Sequence, residues 1–157
     1  METLKEMKYE RIDFAEAKKK LEELTNHLKN ASDAEEAFAI HQKYYQLSEH
    51  IQTMAALAMF RHSINTADPY YDQENAYYDK ELPAFTNADI LYQTTLYESA
   101  FRKKLEERIG KVAFKNIELQ RKSNDPKIVS LQQEENTLVT EYEKLLSSAV
   151  FDWEGQN

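Results

Sequence analysis

The stretch from Asp33 to Asn65 contains no glycine and no proline, and this uninterrupted run constrains the fold more than any other feature of the chain. A helix over 33–66 would extend about 50 Å at 1.5 Å per residue. Its segment from Met54 to Phe60, MAALAMF, is apolar on every side, which is typical of a helix surrounded by other helices. We therefore expect one very long central helix inside a bundle.

Four further helices are predicted from apolar spacing and capping residues, at about 13–30, 69–96, 98–122 and 126–148. Ser32 and Glu35 have the spacing of a capping box ahead of the long helix. Pro69 suits the first position of the next helix, whereas Pro83 lies inside it and is expected to kink it. Since the chain has only two glycines and rarely alternates polar with apolar residues, we predict an all-α bundle of about five helices.

The C-terminal segment Val150 to Glu154, VFDWE, is the exception because it alternates as a strand does. A single strand has unpaired backbone groups along both edges, which natural folds avoid. We therefore expect the start of a truncated β-hairpin here. Residues 1–157 are accordingly interpreted as a single helical domain or a fragment of a longer protein.

Charge and composition exclude several classes of function. The net charge of −8 would repel the phosphates of nucleic acid, and no apolar run approaches the ~18 residues of a membrane span. Absence of cysteine suits a reducing cytoplasm. Residues 32–96 carry a net charge of −7 and residues 97–123 carry +4, so we expect these two segments to attract each other as neighbouring helices.

Residues for catalysis, cofactor binding or metal binding are not predicted. The sequence has no glycine-rich phosphate loop and no pair of histidines four residues apart, as a helical zinc motif needs. His62 does precede several acids, Asp68, Asp72 and Glu74, around the corner after the long helix. We interpret it as a core histidine satisfied by hydrogen bonds.

Glu135 is predicted to belong to a buried polar network. It shares a helical face with Leu131, Leu138 and Tyr142, which we expect to face the core. A carboxylate at such a position needs a partner, and Arg61 or His62 of the long helix would supply it. This network is interpreted as structural.

Four tyrosines cluster after the corner and form two helical stripes, Tyr70 with Tyr77 and Tyr71 with Tyr78. One stripe should pack in the core. The other would face solvent or a groove, where tyrosine offers rigid contact area for a peptide. Core packing of the tyrosines and lining of a peptide-binding groove both remain open from the residues alone.

An ordered set of segments from about Phe60 to Gly155 resembles one family: RHSINTADPYYDQEN, YDKELPAF, FRKKLEERIG and KSNDPKIVSLQQEENTLVTEYEKLLSSAVFDWEG. They are similar to the N-terminal helical region of oligoendopeptidase F and related thimet-oligopeptidase-like zinc peptidases. The resemblance implies a mostly helical fold with a deep channel between two lobes. Short peptides would reach a zinc site whose ligands, a His-Glu-x-x-His helix and a later glutamate, all lie in the C-terminal part.

The resemblance therefore implies a non-catalytic N-terminal domain or fragment of a cytoplasmic zinc oligoendopeptidase that forms a wall of its substrate channel. The candidate channel-lining residues are Tyr70, Tyr71, Tyr77 and Tyr78. This chain alone would neither hold the zinc nor cleave peptides, while the parent protein would be a zinc metalloendopeptidase. Its partners would be the C-terminal catalytic lobe and short peptides, and the isolated fragment would self-associate. The alternative function is a stand-alone helical adaptor that binds a partner helix or peptide.

Overall fold

The computed structural model describes residues 7–123 and 129–148, and within these ranges the fold is an all-α bundle. The helices are α1 Phe14–Lys29, α2 Ala34–Ile64, α3 Pro69–Glu98, α4 Arg102–Ile109, α5 Lys111–Ser123 and α6 Val129–Ser148. The hairpin expected at Val150 to Glu154 lies outside the described residues. No helix in the described part of the chain is both long enough and apolar enough to cross a membrane.

Each of the first three helices begins at an aspartate whose side chain accepts hydrogen bonds from free backbone amides. Asp13 caps α1, Asp33 caps α2 and Asp68 caps α3. The capping box of α2 is shifted by one residue from the predicted pair. Asp33 accepts from the Glu36 amide at 2.8 Å, and the Glu36 carboxylate, in place of Glu35, reaches back to the Ser32 amide at 2.8 Å.

The long helix predicted over 33–66 is α2, with 31 residues, and α3 is nearly as long with 30. Helix α3 contacts each of the other five, so it organises the described bundle. It continues through Pro83 without being split. At the end of α2, Met59 and Phe60 are about half exposed, so the apolar segment is not surrounded on every side as its sequence suggested.

The single helix predicted over 98–122 is two helices, because Gly110 separates α4 from α5. Its φ of +112° lies in a region that residues with a Cβ rarely adopt, so the backbone turns there. The Arg108 guanidinium, near the end of α4, reaches Glu35 of α2 at 2.8 Å and 2.5 Å. This ion pair joins the basic and acidic segments of the chain as their charges predicted.

The core forms where α1 crosses α3. Phe14 is 1% exposed and packs edge-on against Tyr78 and Phe85, with ring centroids 5.7 Å and 5.6 Å away. Ala17, Leu21 and Leu28 continue the buried face of α1 at three- and four-residue steps. The apolar residues of α1 therefore form one buried face.

Candidate functional site

The corner between α2 and α3 forms a concave surface of the size that binds small ligands. Helix α2 ends at Ile64, and the Asp68 carboxylate accepts from the amides of Tyr70 and Tyr71 at 2.9 Å and 3.3 Å. Pro69 occupies the first position of α3, where its missing amide hydrogen costs nothing. The predicted helix junction is therefore confirmed, and it fixes where the α3 tyrosines begin.

A cavity of about 510 Å³ lies at this corner, which we call the corner cavity. Its walls combine aliphatic and aromatic side chains with one guanidinium and one carboxylate; the residues are Leu57, Phe60, Arg61, Ile64, Asp68, Tyr70 and Tyr71. Ile64 is 62% exposed and Tyr70 is 51% exposed, so the apolar wall is open to a ligand. Such a mixture suits an apolar side chain that carries a nearby polar backbone group.

Arg61 is held in place by the segment that precedes α1. Its Nη2 donates to the Met7 carbonyl oxygen at 2.9 Å, and its guanidinium lies 5.2 Å from the centroid of the Tyr9 ring. These two contacts orient the charge at the edge of the corner cavity. The sequence pattern placed Arg61 in a network with Glu135 and did not indicate its contact with this segment.

The four tyrosines divide differently from the two stripes that their spacing suggested. Tyr70 and Tyr71 line the corner cavity. Tyr77 and Tyr78, about two turns later, bond to the segment before α1: the Tyr77 hydroxyl donates to the Ile12 carbonyl at 2.8 Å, and the Tyr78 hydroxyl accepts from the Ile12 amide at 3.3 Å. The division follows position along α3, because in the described part of the segment before α1 the backbone of Ile12 bonds the second pair.

The acids near His62 do not converge on it. His62 is 1% exposed, as a core histidine should be, but among the described residues its Nε2 has no hydrogen-bond partner, contrary to the prediction. The nearest carboxylate oxygen paired with it is Asp72 Oδ1 at 3.5 Å, which also pairs with Lys144 of α6. Glu74 turns away and binds Arg11 and Tyr9. In the described ranges, no group of three or more histidine, cysteine, aspartate or glutamate side chains is placed to hold a metal ion. These residues therefore do not fit the ligand set of a zinc site.

The placement of Glu135 corrects the predicted polar network. Glu135 is exposed on α6, and no described contact joins it to Arg61 or His62. Leu131, Leu138 and Tyr142, which were expected to face the core with it, are 61%, 59% and 61% exposed. The apolar periodicity of α6 is real, but the helix presents its opposite, polar face to α3.

A polar cluster that the sequence analysis did not predict is buried between α2 and α3. The Tyr44 and Tyr92 rings stack with centroids 3.9 Å apart, and the Tyr44 hydroxyl donates to Asp89 Oδ1 at 2.7 Å. Gln93 Nε2 donates to the other oxygen at 2.6 Å. Burial raises the pKa of Asp89 above that of an ordinary carboxyl, while these hydrogen bonds oppose the rise.

Comparison with known proteins agrees with this geometry. The family model described as the Peptidase M3 N-terminal domain matches residues 4–124. Among solved structures, PZ peptidase A with inhibitor 2 superposes with a TM-score of 0.94 at 34% identity, over 98% of this chain and 27% of that one. No curated protein sequence matched the chain.

Two further structures superpose with a TM-score of 0.94. One is described as a putative oligoendopeptidase F, at 33% identity over 99% of this chain and 28% of that one. The other, a putative oligoendopeptidase F from Bacillus anthracis, is 29% identical over 99% of this chain and 29% of that one. The chain therefore spans less than a third of these relatives, and it matches their N-terminal part.

These matches place the chain among the helical N-terminal parts of peptidases. It belongs to the Peptidase M3 N-terminal domain family, as the ordered segments from Phe60 onward indicated.

Proposed function

We propose that this chain is the non-catalytic N-terminal domain of a cytoplasmic zinc oligoendopeptidase and forms part of the wall of its peptide channel. Family membership and the match to the N-terminal 27–29% of relatives named as peptidases support the proposal. The zinc would be held by the C-terminal part, since this sequence has no His-Glu-x-x-His motif. In such a site the metal supplies an activated water for attack on a peptide carbonyl.

The corner cavity is the observation that carries the channel-wall role. Its volume of about 510 Å³ is in the range of small-ligand pockets, and its open walls come from Ile64 and Tyr70. Arg61 stands at its edge as a fixed cation. An extended peptide could place an apolar side chain against the aromatic wall while a carbonyl or carboxylate oxygen accepts from the guanidinium.

The test uses the full-length polypeptide that carries this chain, assayed for zinc-dependent hydrolysis of short peptides. Loss of one aromatic contact should weaken substrate binding by about 1 kcal/mol, or roughly fivefold. We expect Tyr70→Ala to raise KM by that factor with little change in kcat. Tyr45→Ala is the matched control, because Tyr45 is 59% exposed on α2 and does not line the corner cavity.

An unchanged KM in Tyr70→Ala, with the helical content of the native protein, would remove the corner cavity from the channel wall. Absence of peptide hydrolysis in the full-length polypeptide would contradict the peptidase assignment itself.

The alternative, a helical adaptor without an attached enzyme, is favoured by one observation, the exposed apolar face of α6. The two functions predict different coding sequences downstream of Asn157. A reading frame there with a His-Glu-x-x-His motif supports the peptidase. Tight binding of a helix or peptide by the 157-residue chain, with no such motif downstream, supports the adaptor.

A further inference from the structure

Helix α6 packs on α3 through polar side chains that fix its rotation. Thr140 is 8% exposed and donates to Asp79 Oδ2 at 2.7 Å, while Gln133 Nε2 donates to the Lys80 carbonyl at 2.7 Å. Near the end of α6, Lys144 pairs with Asp72. These contacts are spread along α6, so the orientation of the helix is specified by paired polar groups.

The opposite side of α6 is an exposed apolar surface, which we call the α6 stripe. Its members are between 51% and 68% exposed; they are Leu131, Leu138, Val139, Tyr142, Leu145 and Leu146. At 100° per residue, Leu131 and Tyr142 lie on the side of the helix opposite Thr140. A shallow depression of about 400 Å³ on this surface is lined by four members of the stripe together with Glu134 and Glu135.

This arrangement inverts the usual one, in which a surface helix turns its apolar face to the core. A contiguous exposed apolar surface of this kind marks an interaction site. Its borders are acidic, because Glu134, Glu141 and Glu143 are exposed beside it, and a further exposed carboxylate, that of Glu135, lies among its apolar side chains. A matching surface therefore needs an apolar ridge with basic side chains at its edges.

The relatives indicate what supplies that surface. This chain corresponds to the N-terminal 27–29% of their length, and α6 is the last helix of the described part. More than two thirds of each relative therefore lies C-terminal to this region. A segment that continues from α6 has a high effective concentration at the α6 stripe, which favours it over an unlinked partner.

We propose that the α6 stripe is the docking surface for the remaining part of the peptidase, which meets it with an apolar ridge bordered by lysine and arginine. The inference rests on the proposed function, since it takes its occupant from the same polypeptide. It adds which face of the domain is covered and what chemistry covers it.

The absence of cysteine from the sequence permits a direct test with single thiols. Leu138→Cys places a thiol on the α6 stripe, and Lys19→Cys places one on the exposed side of α1. Both are labelled with a maleimide in the 157-residue chain and in the full-length peptidase. In the short chain the two thiols should react at similar rates.

In the full-length protein we expect the thiol of Leu138→Cys to react at least about tenfold more slowly than that of Lys19→Cys. A tenfold slower reaction corresponds to a local opening free energy of roughly 1.4 kcal/mol. Equal rates in a full-length protein that still hydrolyses peptides would overturn the docking proposal alone. A full-length protein without peptidase activity would instead overturn the proposed function.

A second copy of the chain is the competing occupant. It would protect position 138 in the 157-residue chain in a concentration-dependent way, with a matching dimer in sedimentation, and would leave it reactive in the full-length protein. That result would overturn the proposal. As a further check, Tyr142→Glu in the short chain should reduce binding of a hydrophobic dye, whereas Lys19→Glu should not.

Discussion

The ion pair between Arg11 and Glu74 provides a sharp test of how the segment before α1 is attached to α3. The Glu74 side chain is 4% exposed and the Arg11 side chain 42%. Arg11 Nε lies 3.1 Å from both carboxylate oxygens, its Nη2 bonds one of them, and the Tyr9 hydroxyl donates at 2.5 Å. Arg11→Met keeps most of the aliphatic stem and removes the charge.

The expected cost depends on the burial of the carboxylate. Removing one partner of a buried ion pair destabilises a protein by about 3–5 kcal/mol, because the other charge is left uncompensated. Arg11 is nearly half exposed and Tyr9 still donates to Glu74 in the variant, so we expect about 3 kcal/mol at pH 7. This is a large part of the roughly 5–15 kcal/mol that holds a domain folded.

The pH dependence of this cost has a defined sign. The hydrogen bond from Arg11 lowers the pKa of Glu74 in the folded chain, and burial opposes it. The pair therefore stabilises the native chain above the unfolded carboxyl pKa of ~4.3, and this contribution is lost as pH falls through the lowered folded pKa. Without Arg11, burial raises the folded pKa of Glu74, so the variant gains stability as pH falls. The difference between the two proteins should narrow from pH 7 to pH 4.

Urea unfolding followed by helical circular dichroism measures both quantities, at protein concentrations low enough to keep the chain monomeric. A double-mutant cycle with Glu74→Gln isolates the pair, and we expect a coupling of about 2 kcal/mol at pH 7. Arg108→Met is the control, because its partner Glu35 is 73% exposed and such a pair contributes roughly 0–1 kcal/mol. A cost for Arg11→Met no larger than that of the control, with the same offset at both pH values, would refute the reasoning.

Two further predictions concern other parts of the bundle. Burial raises the pKa of Asp89, so the native chain loses stability as pH rises through that value. Asp89→Asn should therefore reduce the fall in melting temperature between pH 4 and pH 7, and an unchanged fall in calorimetric scans would contradict this. Gly110→Ala should lower the free energy of unfolding in urea by about 1–3 kcal/mol, because a residue with a Cβ is strained at a φ of +112°. The new Cβ would meet no atom within 4 Å, so the cost comes from the backbone alone. Ser130→Ala, at an exposed helical position, is the control and should change the free energy of unfolding little.

Local signals in the sequence predicted most helix ends. Aspartate caps at 13, 33 and 68 and the proline at 69 act through the backbone amides nearest to them, so the sequence contains their whole mechanism. The bounds predicted over 98–122 merged α4 and α5, although the Gly110 inside them is a usual helix-stopping residue and does end α4. The corner that forms the candidate site was predictable for the same local reason.

Contacts between distant segments were not predictable in this way. The backbone of Ile12 bonds Tyr77 and Tyr78, whereas Tyr70 and Tyr71 line the corner cavity, and no residue close to the tyrosines in sequence indicates this difference. The cluster of Tyr44, Asp89 and Tyr92 depends likewise on the register between α2 and α3.

The sequence by itself determined the all-α class, where most helices begin to within a residue or so and the amphipathic character of each helix, because these depend on residues within a few positions of one another. Tertiary structure alone decided which face of α6 is buried. Periodicity shows that a helix has an apolar side and a polar side. It does not show which side packs on α3, because polar groups on α3 can pair with the polar side of the helix. Here hydrogen bonds from Thr140 and Gln133 place the polar side inward and leave the α6 stripe exposed.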